Sequence, residues 1–111
     1  MITTRDVFPI HVRTRWVDFS PALHWHTRTR IEAALRCTAS RIRWVNVRIS
    51  DGNGSPGERI CDVEVVLKPD GLVAASATAT DAYGAADAAA RRARTVVRHH
   101  VDRARELRRA A

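Results

Sequence analysis

The sequence predicts an α/β chain of the α+β kind, a two-layer sandwich in the order β-α-β-β-β-α. Two helices cover one face of a four-stranded mixed sheet. Three observations carry this. Four stretches alternate apolar and polar residues with the period of two that a half-buried strand requires. Two others repeat their apolar residues every three or four positions, and each opens on a helix-start signal. The first strand is separated from the second by a helix, whereas short turns join the later ones. The first pair is therefore parallel with a right-handed crossover, and the remaining pairs are antiparallel. One sheet face suffices to bury both helix stripes, so the second face is left open.

The first strand is marked by Phe8, Ile10 and Val12 alternating with Pro9, His11 and Arg13. Pro9 suits its start or an edge, because proline donates no ladder hydrogen bond. Ser20-Pro21 then announces a helix, with Ser20 as N-cap and Pro21 in the first helical position. Leu23, Thr27, Ile31, Ala34 and Leu35 form its core stripe, and Trp25, Arg28, Glu32 and Arg36 fall on the other side. It fades over residues 37–40. The second strand spans residues 41–50, with Val45, Val47 and Ile49 inward and Trp44, Asn46 and Arg48 outward.

Residues 51–58 hold three of the five glycines and make a hairpin loop. The third strand, residues 59–68, turns Cys61, Val63, Val65 and Leu67 inward and Asp62 and Glu64 outward. Pro69-Asp70-Gly71 is a tight turn. The fourth strand, residues 72–80, faces Val73, Ala75, Ala77 and Ala79 inward, side chains small enough for a helix to lie close on them. That helix starts at Asp81, its N-cap, with Asp87 placed early to favour the positive end of the dipole. Its stripe is Ala86, Ala90, Ala93, Val97, Val101, Ala104 and Leu107.

A chain of 111 residues is long enough for one core. It is expected to form a single domain, 1–111, with an ordered core over about 7–107. No run of eighteen apolar residues exists to span a membrane, and the N-terminus has no apolar signal region. The location expected is the cytoplasm, where Cys37 and Cys61, lacking CxxC spacing, are expected to be buried free thiols. The net charge is +7, and eighteen of the nineteen basic residues are Arg. From Arg91 onward eight Arg face only Asp102 and Glu106, a surplus of six, so residues 1–90 carry a net charge of +1. Charge concentrated in this way, in the side chain that forks onto phosphates, points to a polyanionic partner.

Four strings are similar to those of the ribosome hibernation-promoting factor and ribosome-associated inhibitor A family, the sigma-modulation proteins. Arg15-Trp16-Val17-Asp18-Phe19-Ser20-Pro21-Ala22-Leu23 resembles that family's strand-to-helix passage, with Trp16 in place of its usual small polar residue. Residues 42–49 resemble its second strand, and Cys61-Asp62-Val63-Glu64-Val65 its third. Asp81-Ala82-Tyr83-Gly84-Ala85-Ala86-Asp87 resembles its Asp-x-Tyr-x-Ala-x-Asp helix opening.

The resemblance, over roughly residues 8–105, implies a stress-associated protein on the small ribosomal subunit. It would silence translation by occupying the mRNA/tRNA channel. The basic positions it carries over for ribosomal RNA are Arg28 and Arg30 in the first helix and Arg91, Arg92 and Arg98 in the last. With no further domain after the final helix, a short-type member is expected. The alternatives are a general RNA-binding module without ribosome preference, or an interaction module that dimerises through the open sheet face.

The residues themselves support an RNA surface along the last helix. Arg91, Arg94, Arg98 and Arg105 share one line, with Arg92, His99 and Arg103 beside it. A merely solvated face mixes signs, and like charges on neighbouring turns repel. Trp25 and Trp44, set among arginines, are candidates for base stacking, against the plainer role of packing on a loop or covering the sheet. Tyr83 is expected to anchor the helix start in the core.

His24 with His26, and His99 with His100, lack the i,i+4 spacing of a chelating pair. Asp51-Gly52-Asn53-Gly54-Ser55 opens like a calcium loop but places Pro56 and Asp62 where that loop needs Gly and Glu. No nucleophile with a base is in sight, so no enzyme, cofactor, metal or small-molecule substrate is expected. The free protein is expected to be a monomer rather than a dimer.

Overall fold

A computed structural model describes residues 8–18, 20–52 and 57–110. The chain runs β1 (Ile10–Arg15), α1 (Pro21–Leu35), a 3₁₀ segment (Arg36–Arg41), β2 (Ile42–Asp51), β3 (Arg59–Leu67), β4 (Leu72–Ala79) and α2 (Ala82–Ala110). The sheet order is β1-β2-β3-β4, with β1–β2 parallel and the other two pairs antiparallel. Fold class, element order and strand directions are those read from the sequence. Residue 19 of the strand-to-helix passage and residues 53–56 of the 51–58 loop, including Pro56 of the calcium-like string, lie outside the described residues.

Each sheet residue chooses its face by the period of two. Val45, Val47, Ile49, Cys61, Val63, Val65 and Leu67 are buried, while Arg48 and Glu64 between them are exposed. Both helices therefore lie over the same face and touch each other there. A register shift between Ile42 and Trp44 adds a bulge at the start of β2. It lets Ile42 and Val45, three apart, both point into the core.

Ser20 caps α1, its Oγ accepting from the Leu23 amide at 3.3 Å, and Pro21 follows in the first turn. Leu23, Thr27, Ile31 and Leu35 are the buried stripe. Thr27 is tolerated there because its hydroxyl donates to the Leu23 carbonyl at 2.8 Å. The β3–β4 turn closes with the Leu67 amide donating to the Gly71 carbonyl at 2.9 Å. Gly71 has φ 136°, and a Cβ there would lie 3.2 Å from His100 Nε2 of α2, so only glycine fits.

Asp81 caps α2, its Oδ1 accepting from the Gly84 amide at 2.7 Å. The buried side of α2 is Ala85, Ala86, Ala89, Ala90, Ala93, Val97 and Val101, against the small inner residues of β4. The helix is wider in its alanine contact than the sequence stripe proposed, and shorter. Ala104 is half-buried and Leu107 is 69% exposed. Length is the physical reason. Twenty-nine helical residues rise about 44 Å, while the eight of β4 reach about 26 Å. The last turns have no sheet beneath them.

The cysteines correct the sequence reading in one respect. Cys61 is buried in β3, but Cys37 is exposed on the 3₁₀ segment. Burial, and secondarily the neighbouring Asp62 charge, pushes the Cys61 thiol up from 9.0 to about 12. At pH 8 it is protonated and enclosed, hence inert. Native protein is expected to release one equivalent of chromophore with a thiol reagent at pH 8, and two after denaturation. A native count of two would contradict this placement.

Candidate nucleic-acid interface

Any helix that rests on a sheet buries one side and leaves a broad arc to water. On α2 that arc carries arginine. At 100° per residue, Arg91, Arg94, Arg98 and Arg105 fall on one line, with Arg109 continuing it. Arg92 and Arg103 stand more than a third of a turn from the middle of that line. All of these side chains are exposed. Among the described residues, the guanidinium groups of Arg91, Arg94, Arg98, Arg103 and Arg105 make no ion pair or hydrogen bond. Even Asp102, four residues after Arg98, is in no ion pair among the described residues. A shallow open hollow is lined by Arg91, Arg94, Thr95, Arg98, His99 and Asp102. Arg92 differs from the others, since its Nη1 donates to the Ser76 carbonyl of the edge strand β4 at 3.1 Å. That contact holds the side chain over the groove between α2 and the sheet edge.

The two arginines of α1 do not join this line. Arg28 donates from Nη1 to the Ile10 carbonyl at 2.7 Å and so ties α1 to the start of β1. Arg30 Nε lies 3.4 Å from Asp87 Oδ1, beside the junction of the two helices. The family resemblance grouped these residues with Arg91, Arg92 and Arg98 as basic positions for ribosomal RNA. The structure gives Arg28 and Arg30 structural contacts that the α2 line lacks.

The Asp-x-Tyr-x-Ala-x-Asp string acquires a physical meaning for each member. Asp81 caps the helix and Ala85 is buried. Asp87 accepts from His26 Nε2 at 2.7 Å and faces Arg30, so it joins α2 to α1 as well as lying near a helix start. Tyr83 is exposed rather than in the core, set edge-on to His26 with ring centroids 5.0 Å apart. Its ring supports the histidine that Asp87 holds.

The tryptophans separate. Trp25, 71% exposed, stands on the outer side of α1, and Trp44, 40% exposed and paired with Val66 of β3, on the open sheet face. They occupy opposite sides of the sandwich. The sequence reading passed over Trp16 as a contact residue. It is 69% exposed at φ 59°, with the Arg15 guanidinium carbon 4.4 Å from its ring centroid. The signal was its position, a large aromatic between two arginine-bearing elements at a chain reversal.

No group of three or more His, Cys, Asp or Glu side chains that could hold a metal exists among the described residues. Likewise, no helix among them is long and apolar enough to cross a membrane.

A family model described as sigma 54 modulation protein / S30EA ribosomal protein matches residues 10–105. Among solved structures, a ribosomal subunit interface protein from Coxiella burnetii superposes with a TM-score of 0.70 at 22% identity, covering 83% of this chain and 97% of the other. The N-terminal domain of Protein Y from Thermus thermophilus gives 0.60 at 20% identity, covering 77% and 89%. At these identities the two structures speak to fold alone. No curated protein sequence matches the chain.

The helix junction yields a test independent of any ligand. Asp87→Ala removes the acceptor shared by His26 and Arg30. In this partly exposed setting the loss is about 1 kcal/mol, read as a lower urea midpoint at unchanged slope. His26→Ala is expected to cost a similar amount, and the double variant little more than either. Additive losses would show that the two side chains act separately.

Proposed function

The chain belongs to the sigma 54 modulation protein / S30EA ribosomal protein family, and on that premise we propose that it is a ribosome hibernation factor. In this reading it binds the small ribosomal subunit in the cytoplasm. The outer face of α2 lies on ribosomal RNA, and the folded body fills the path of mRNA and tRNA. The observation that carries the reading is the row of arginines on α2, exposed and without partners within the described chain.

Such a row is costly in isolation, because like charges on successive turns repel. It becomes favourable when phosphates stand opposite. Each contact then releases condensed counterions, and each guanidinium can offer two parallel hydrogen bonds. Contacts of this kind position a protein without reading sequence, which is all that blocking a channel requires. The reaction is occupancy rather than catalysis. Arg91, Arg94 and Arg98 form the centre of the face, and Arg92, Arg103 and Arg105 its margins. Arg28 and Arg30 contribute through the helices they hold in place.

Co-sedimentation with purified small subunits tests the proposal. Wild-type protein is expected in the subunit pellet, with excess free duplex RNA competing poorly. The R91E/R94E/R98E variant is expected in the supernatant with its circular dichroism intact. Pelleting of that variant at wild-type levels would overturn the assignment of the face. Free RNA competing as well as subunits would instead favour an RNA-binding module without ribosome preference.

A further inference from the structure

We propose that Trp16, with Arg15 laid against one side of its ring, is a stacking platform for one unpaired base of single-stranded RNA. The inference rests on the RNA-binding reading above and adds a second, chemically different contact to it.

Three features of the residue point the same way. First, Trp16 is the one non-glycine residue with positive φ among the described residues, at 59°. A side chain with a Cβ pays for that left-handed conformation, and a bulky one gains nothing from it by itself. Such outliers persist where a side chain must be aimed. Second, the ring stays 69% exposed even with Arg15 over it. The face opposite Arg15 is therefore open to solvent. Third, the guanidinium 4.4 Å from the centroid fixes the ring by a cation–π contact and leaves a positive charge beside it. Arg13, two residues before Arg15 on the same strand, is also exposed.

A flat π-surface bordered by a cation matches a nucleotide, whose base stacks while its phosphate is attracted. Duplex RNA does not fit, because its bases are already stacked on one another. The location is also suitable. Since β4 runs in the same direction as β1, both helices begin at the end of the sheet where β1 finishes, so Trp16 stands beside the start of α1 and at the same end as the start of α2. Trp25 belongs to α1 and has no such clamp among the described contacts.

Fluorescence titration with short oligouridylate and oligoadenylate RNA tests the proposal. In the W25F/W44F protein Trp16 is the sole remaining tryptophan, and its emission is expected to quench saturably with either oligonucleotide. In the otherwise wild-type chain, W16A is expected to weaken single-strand binding by about five- to a hundredfold. W16F should recover most of the loss, and R15K should fall between. Affinity for duplex RNA is expected to be the same with W16A as with wild type.

Unchanged Trp16 emission at saturating oligonucleotide would overturn the platform, as would wild-type single-strand affinity in W16A. An equal loss on duplex RNA would make Trp16 a scaffold residue instead. Quenching by anionic phospholipid vesicles but by neither oligonucleotide would assign the ring to a lipid surface and end the proposal. Any of these results, in protein that still pellets with small subunits, removes the stacking role alone. Loss of pelleting is the separate failure of the α2 reading.

Discussion

The close approach of α2 to the sheet through alanine is the constraint on which the molecule depends. Ala85, Ala86, Ala89, Ala90 and Ala93 are buried against a strand whose inner residues include Ala75, Ala77 and Ala79. Side chains this small bury little area each, so the helix is held by length and closeness of contact rather than by large anchors. The larger apolar residues sit elsewhere, on β2, β3 and α1. Two consequences follow. A long helix can lie flat on the layer, and its outer arc is released from any packing duty. That arc is where the arginines are.

The same constraint explains why the charge can remain unpaired. Where helices in a bundle face several neighbours, cations on the flanks meet carboxylates. Here α2 touches α1 on one flank, and there the acid, Asp87, is already engaged by His26 and Arg30. On the other flank lies the β4 edge, where Arg92 meets a backbone carbonyl. Between them nothing in the described chain reaches the central line. Like charges on successive turns repel, and on the proposed reading an external polyanion would relieve that repulsion.

Most of the fold was legible because its signals are periodic. Alternation marked the four strands, Ser20-Pro21 and Asp81 marked both helix starts, and the helix between β1 and β2 set the one parallel pair. What escaped depends on quantities that a pattern does not contain. Leu107 fits the stripe of α2, yet the sheet ends before reaching it. Cys37 follows an apolar helix but falls where the chain tightens into a 3₁₀ turn and leaves the core. Tyr83 looked like an anchor, whereas its partner is the half-buried His26, 57 residues earlier, and only the tertiary packing brings them together.

The site divides along the same line. That α2 carries the charge was evident from residue counts, and its 3.6-residue period placed Arg91, Arg94, Arg98 and Arg105 together. The contacts of Arg28 and Arg30, and the left-handed backbone of Trp16, were not legible, because each depends on chain geometry. The central claim is that the α2 face meets phosphates, and the salt dependence of RNA affinity tests it most directly. On a log–log plot the account predicts a steep negative slope for wild-type protein. Neutralising Arg91, Arg94 and Arg98 with Gln should make that slope shallower by about 0.7 to 0.9 per residue. Equal slopes for the two proteins would contradict it.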